Sequence, residues 1–359
     1  MNAKIAAVLV ILLAVVGGGA LLVQQQAASR KPAAAAALGQ PVLKLQAADI
    51  VSIALREPKG TLTLVRKDER WTIAERDGFP ADFDKVRDFV LKAIALKIGQ
   101  SEPIGDKDRA RLQLDASGTA VDFLGADGKP LARLVLGRKY FKAAPENPDK
   151  ALGDGRYVLI PGDEQRVIVV ADPLAQASTK TKDWIATAGI GAEKVKTLEV
   201  RAPSGDTAGL SWRIERSGDN ADWKLAGLKP GEKLEITKAN AAGYTFGQIP
   251  LADVAAKDVT PAQAGLDKPT VVTATTLDGL TYVLSLGKPE GDNVYATLAV
   301  SGEPKAEGKD AEERQKKLAE RVAREKALAG YTLLVPKSKL EDILKKRADL
   351  LEKKEEKKK

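Results

Sequence analysis

The sequence predicts an α+β chain with two tandem similar units, each an antiparallel sheet with a covering helix, behind one N-terminal transmembrane helix. Three observations predict it. Ile5 to Val23 is an uncharged apolar run. Apolar residues alternate along several short stretches bounded by turn residues, the period of half-buried strands. A set of motifs from the first half returns in the same order in the second. A length of 359 residues is compatible with two domains.

The opening segment comes first. As a helix, Ile5–Val23 would span roughly 28 Å, close to the hydrocarbon thickness of a bilayer. Lys4 lies on its short side, and the next cations, Arg30 and Lys31, follow a polar Gln run. That asymmetry places residues 1–4 in the cytoplasm, 5–23 across the inner (cytoplasmic) membrane, and the bulk on the periplasmic or exterior side. A cleaved secretory signal with a site at Ala27–Ser29 is the competing reading, although its apolar core would run only about 7–15 residues. A buried soluble helix is the third. Residues 24–41, rich in Ala with flanking Pro, read as a tether.

The first unit is expected over 42–188. "DIVSIALREPKGTLTLVRKDERWTIAE" alternates through Ile53, Leu55, Leu62, Leu64, Trp71 and Ile73, an antiparallel meander turning at Pro58-Lys59-Gly60 and again at Lys67–Arg70. A helix follows. Asp82 suits its N-cap, Phe83, Val86, Phe89, Val90, Ala93 and Ile94 fall at helical spacing, and Gly99 suits the stop. Strands around Ala120–Leu124 and Leu131–Leu136 join at Asp127-Gly128, a hairpin signal. "RYVLI" adds a strand, and "RVIVVADPL" a strand or the start of a helix.

The second unit is expected over 192–345. "VKTLEVRAPSG" restates "IVSIALREPKG", and Trp223 stands where Trp71 does. Leu114-Asp115 answers to Leu266-Asp267, Asp127-Gly128 to Asp278-Gly279, and Leu136-Gly137 to Leu286-Gly287. "YTLLVP" from Tyr331 is matched to "YVLIP" from Tyr157. Ile236–Ile249 takes the helix position, its pattern weakened by Gly243 and Gly247. A charge-dense helical insertion, 302–329, reads as a solvated excursion or as a docking helix for a partner. A short amphipathic helix with Ile343 and Leu344 runs into a charged tail, 346–359.

Composition narrows the chemistry. With no Cys and no His, disulfides, thiolate metal sites, nucleophile–His triads and imidazole acid–base steps are excluded. The net charge of +8 is interspersed, which argues against nucleic acid. Ser285-Leu-Gly-Lys288 has the S-x-x-K spacing of penicillin-recognising serine enzymes, but sits in an alternating strand rather than a helix. Gly189-Ile-Gly191 and Gly153-Asp-Gly155 read as turns. The paired carboxylates Asp106 with Asp108, and Glu312 with Glu313, read as solvated charges. Trp71 and Trp223 are read as core or rim packing rather than a carbohydrate-stacking surface, and Trp184 as a pin between the units. Trp212 has no counterpart. No catalytic, cofactor-binding or metal-ligating residue is assigned.

The Trp-ended hairpin, "ADFDKVRDFVLKAI", the L-x-L-D step, the D-G hairpin, "YVLIP" and "TKDWIATAGIGAEKVKTLEV" together resemble the bacterial domain-of-unknown-function 4340 family, from about Val42 to Leu344. The charged insertion departs from the family's usual pattern. The resemblance implies an anchored envelope protein, encoded beside gliding-motility-type ABC transporter components, with no assigned catalytic residues. The expected function is thus a membrane-anchored, extracytoplasmic, non-catalytic interaction or accessory protein, with the membrane and ABC transporter subunits as partners. The alternatives are a His-free carboxylate hydrolase acting on envelope glycans, with two carboxylates about 5–10 Å apart in a cleft, and a structural envelope spacer.

Overall fold

The computed structural model describes residues 38–148, 150–203, 209–305 and 311–353. The expected anchor at 5–23, most of the tether and the end of the tail lie outside the described residues. In chain order the first half contains β1 (Ser52–Glu57), β2 (Gly60–Lys67), β3 (Arg70–Ile73), β4 (Phe79–Pro80), α1 (Phe83–Ala95), β5 (Gln100–Pro103), α2 (Asp106–Arg111), β6 (Thr119–Leu124), β7 (Pro130–Tyr140), β8 (Gly155–Leu159) and β9 (Arg166–Val170). The second contains β10 (Val195–Arg201), β11 (Trp212–Glu215), β12 (Lys224–Leu225), α3 (Ile236–Thr245), β13 (Asp253–Val254), α4 (Pro261–Ala264), β14 (Thr270–Thr276), β15 (Thr281–Glu290), β16 (Asn293–Ser301), α5 (Ala311–Lys326) and β17 (Leu333–Pro336).

The fold class is therefore corrected. The described residues form mainly antiparallel sheet, and two of the helices, α2 and α4, are only six and four residues long. The alternating stretches outnumber the helical ones, and each pairs with a neighbour. The expected transmembrane helix has no counterpart among the described residues, where no helix is long and apolar enough to cross a membrane. The longest, α5, has 16 residues and is dense in charge.

The chain divides into two compact units. One holds the described residues up to Thr61 with Arg87–Thr179, the other Leu62–Val86 with the described residues from Lys180 onward. In the first, six antiparallel strands run β1-β6-β7-β8-β9-β5. Ile53 and Leu55 of β1 lie opposite Phe123 and Val121 of β6, and all four are buried. Phe89 of α1 stacks on Phe123 with ring centroids 6.1 Å apart, which fixes the helix over this sheet. Asp82 caps α1, its Oδ1 accepting the amides of Asp84 and Lys85 at 3.0 and 3.2 Å.

In the second unit eight strands run β12-β11-β10-β14-β15-β16-β17-β13. Leu198 and Val200 of β10 face Ala274 and Val272 of β14, again buried. α3 continues straight through Gly243, contrary to its reading as a weak point. A Cβ there would meet the Trp223 ring at 2.5 Å, so the glycine is the notch that receives the indole.

The charged insertion also differs from a solvated excursion. α5 lies against β16, with Val322 and Glu325 buried. Ala311, Gln315 and Leu318 continue that stripe as partly buried positions, while the charges between them face solvent. At the C-terminal end, 3-10 turns at Lys337–Lys339 and Arg347–Leu350 replace the expected amphipathic helix, yet Leu340, Ile343 and Leu350 are buried.

Candidate functional site

The structure disperses the residues whose types suggested chemistry. Ser285 lies within β15 opposite Val271 and Thr297. Lys288 follows a register shift in the same strand and donates to the Ala262 carbonyl at 3.2 Å. That is strand spacing, not the helical turn an S-x-x-K nucleophile needs. Asp106 and Asp108 lie on α2, each paired with an arginine of that helix, Arg109 at 3.7 Å and Arg111 at 3.1 Å. Glu312 and Glu313 open α5 in solvent. Gly153 makes a turn and Gly155 enters β8, whereas the Gly191 amide donates to a buried carboxylate. Trp71 and Trp223 are 7% and 4% exposed, so neither presents a ring face for a sugar. Trp184 is fully buried, and Trp212 donates its indole N–H to the Lys345 carbonyl at 2.8 Å.

The polar groups that the fold does bring together were not singled out from sequence. Glu325, on the inner face of α5, accepts the Gly191 amide at 2.7 Å and the Tyr282 hydroxyl at 2.8 Å. Burial, and then the Glu325 carboxylate, push the Tyr282 phenol well above its ordinary range. Asp122 of β6 is held between Arg56 and Arg133, which lie on the flanking strands. Glu57 accepts from the Thr119 hydroxyl at 3.1 Å, and from the Thr179 amide and hydroxyl at 3.1 and 2.7 Å. Arg216 is buried, donates to the Val195 carbonyl and to Asp219, and lies 4.8 Å over the Trp223 ring. Apart from Arg216 with Asp219, three residues on, charge spacing hints at none of these, because the partners come from distant strands or loops.

A cavity of about 700 Å³ opens in the second unit. Its wall carries Lys194, Arg216 and Lys339 against Glu193, Asp219 and Asp342. The balance of signs favours no charged ligand. Among the described residues no group of three or more carboxylate, His or Cys side chains is arranged to hold a metal ion.

Near the C-terminus Arg347 donates to Glu232 at 2.7 Å and to the Gly227 carbonyl at 2.8 Å. The Arg347 hydrogen bond, and then the Lys229 amide, lower the Glu232 carboxyl from 4.5 to about 2. A carboxyl whose folded value is depressed contributes stability above its unfolded value and loses it as pH falls through the folded one. The Glu232 contribution is therefore expected to be complete above about pH 4.5 and to disappear towards pH 2. Urea midpoints of the protein and of Glu232→Gln across that window check it, the two curves converging at the acid end.

The fold and its polar groups define a protein of mainly antiparallel sheet, in which buried charges tie helices and strands together. The family model described as Domain of unknown function (DUF4340) matches residues 71–269, from β3 to the residue before β14. That is more than half of the chain, and the chain belongs to this family. No curated protein matches it, and no solved structure does.

Proposed function

We propose that the chain is an extracytoplasmic, non-catalytic accessory protein, held at the inner membrane by its leading segment Ile5–Val23, that presents two copies of one sheet unit to a membrane partner. The observation that carries the two-copy part is the shared strand order. β1-β6-β7-β8-β9-β5 and β10-β14-β15-β16-β17-β13 place successive strands identically, and in each the strand after the covering helix takes the far edge.

Finer registers support it. α2 and α4 both end in a left-handed residue, Gln113 (φ 56°) and Gly265 (φ 70°). Both close with an amide bonded five residues back, Leu114 to Arg109 and Leu266 to Pro261. β7 and β15 shift register at the same point, after Leu136 and after Leu286.

The membrane part is supported by the uncharged run and its flanking charges. A subunit of a gliding-motility-type ABC transport system is the partner that the family resemblance favours. The mechanism is presentation: a tethered body near the bilayer raises the effective concentration of its binding surfaces for a membrane partner. Crosslinking in native membranes followed by purification of the full chain is expected to recover a transporter subunit. Recovery of the chain alone contradicts the partner.

A further inference from the structure

The cavity of about 700 Å³ in the second unit does not end at its own wall. Gly247, Gln248 and Lys339 also line a neighbouring cavity of about 430 Å³, which reaches Thr187 and Pro250. The two run on as one groove between the end of α3 and the turn Lys337–Lys339. Backbone pairing builds its floor. Ile190 and Ile249 exchange hydrogen bonds at 2.8 and 3.1 Å, and the Ala192 amide donates to the Phe246 carbonyl at 3.0 Å. Gly191 and Gly247 add no side chain there, so a ligand can approach the backbone closely.

The charges along this groove are matched within the protein. Lys194 pairs with Asp278 at 3.4 Å, Arg216 with Asp219 at 2.9 Å and Arg321 with Glu193 at 2.9 Å, while Asp342 pairs with Lys345. Interspersed pairs of this kind do not sum to the one-signed field that concentrates an ionic ligand. Lys339 adds a single ammonium, whose donors can also bond hydroxyl oxygens.

The polar groups left for a ligand are of another kind. The Thr187 and Ser338 hydroxyls, the Gln248 amide and the Tyr244 phenol have no hydrogen-bond partner among the described residues. All of them are uncharged, and each both donates and accepts, as the hydroxyls of a ligand also do. Tyr244, in the last turn of α3, is 68% exposed, the most exposed aromatic ring among the described residues. It offers the open ring face that the enclosed Trp71 and Trp223 do not.

We propose that this groove binds a neutral oligosaccharide, one sugar ring stacked on Tyr244 and the following units hydrogen-bonded along Gln248, Ser338 and Thr187. A tyrosine ring supplies rigid apolar area with a polar edge, which suits a surface of mixed C–H and O–H groups. The two volumes fall in the range of small-molecule sites, and their continuity suits a chain of units better than a single ring. An extended peptide would instead need unpaired strand-edge groups, whereas Ile190 and Ile249 already pair with each other. The inference is independent of membrane attachment and of the transporter partner.

The test is saturation-transfer NMR and calorimetric titration of the full chain in a sugar-free neutral detergent. The probes are cellotriose, maltotriose and triacetylchitotriose, with their monosaccharides, trigalacturonate and a blocked trialanine as controls. Saturable binding of at least one neutral trisaccharide, tighter than its monosaccharide, is expected. Tyr244→Ala should weaken it about tenfold, the scale for loss of one aromatic contact. Tyr244→Phe should weaken it less, because the ring stays, and Leu152→Ala, an exposed change in the first unit, should leave it unchanged. Absence of saturable binding by every neutral trisaccharide overturns the proposal. So does tighter binding of trigalacturonate or of the blocked peptide, or binding that Tyr244→Ala leaves intact while its melting temperature matches the wild type.

Discussion

Glu325→Ala is expected to lower the stability of the second unit by about 3 kcal/mol, the scale for removing one member of a buried, charged hydrogen-bond group. The substitution leaves the Tyr282 hydroxyl and the Gly191 amide buried without their acceptor. It also removes the contact that turns α5 from a charged excursion into part of the packed body. Tyr282→Phe should cost less, about 1.5 kcal/mol, because Glu325 keeps the Gly191 amide. Urea denaturation of the singles and the double gives the coupling directly, and it should exceed about 0.5 kcal/mol. Independent, additive effects would show that the helix is held by its apolar stripe alone.

Gly137→Ala and Gly287→Ala are expected to destabilise their own units by similar amounts, about 3 kcal/mol each, the upper range for overpacking. A Cβ at Gly137 would overlap the Leu112 carbonyl and come within 2.7 Å of the Leu114 side chain. One at Gly287 would overlap the Ala264 carbonyl. The obstacle in each case includes backbone at the end of a short helix, which cannot rotate away as a side chain would. Thermal melts and hydrogen exchange that resolves the two units should show each substitution acting on its own sheet. A large loss at one glycine and none at the other would count against the two sheets being copies.

Much of the sheet was legible, because alternation and turn chemistry are local. The Asp127-Gly128 and Asp278-Gly279 hairpins form between β6 and β7 and between β14 and β15, with the glycines at φ 73° and 85°. The Asp82 cap was equally local. One echo was misplaced by a strand. Leu136 pairs with Val158 and Leu286 with Ala296, which puts Tyr295, not Tyr331, at the strand register that Tyr157 holds. The intervening insertion, and the similarity of short apolar strands, hid that shift.

The α+β assignment failed because amphipathic stretches were weighed as whole layers, while their helices are few and the C-terminal one does not form. Gly243 was misread for a different reason. Helix propensity describes a helix in water, and the decisive neighbour, Trp223, is 20 residues away. The candidate chemistry was illegible throughout. Glu325 sits in a run of charges that looks uniformly solvated.

The claim on which the functional account stands is that a folded body of twin sheets is held outside the cell's inner membrane by the leading segment. Alkaline carbonate extraction of membranes from cells making the full chain, combined with protease treatment of intact spheroplasts, tests it directly. The chain is predicted to stay with the membrane pellet and to lose its sheet domains to external protease. Release into the carbonate supernatant, or full protection until the spheroplasts are lysed, would contradict the account.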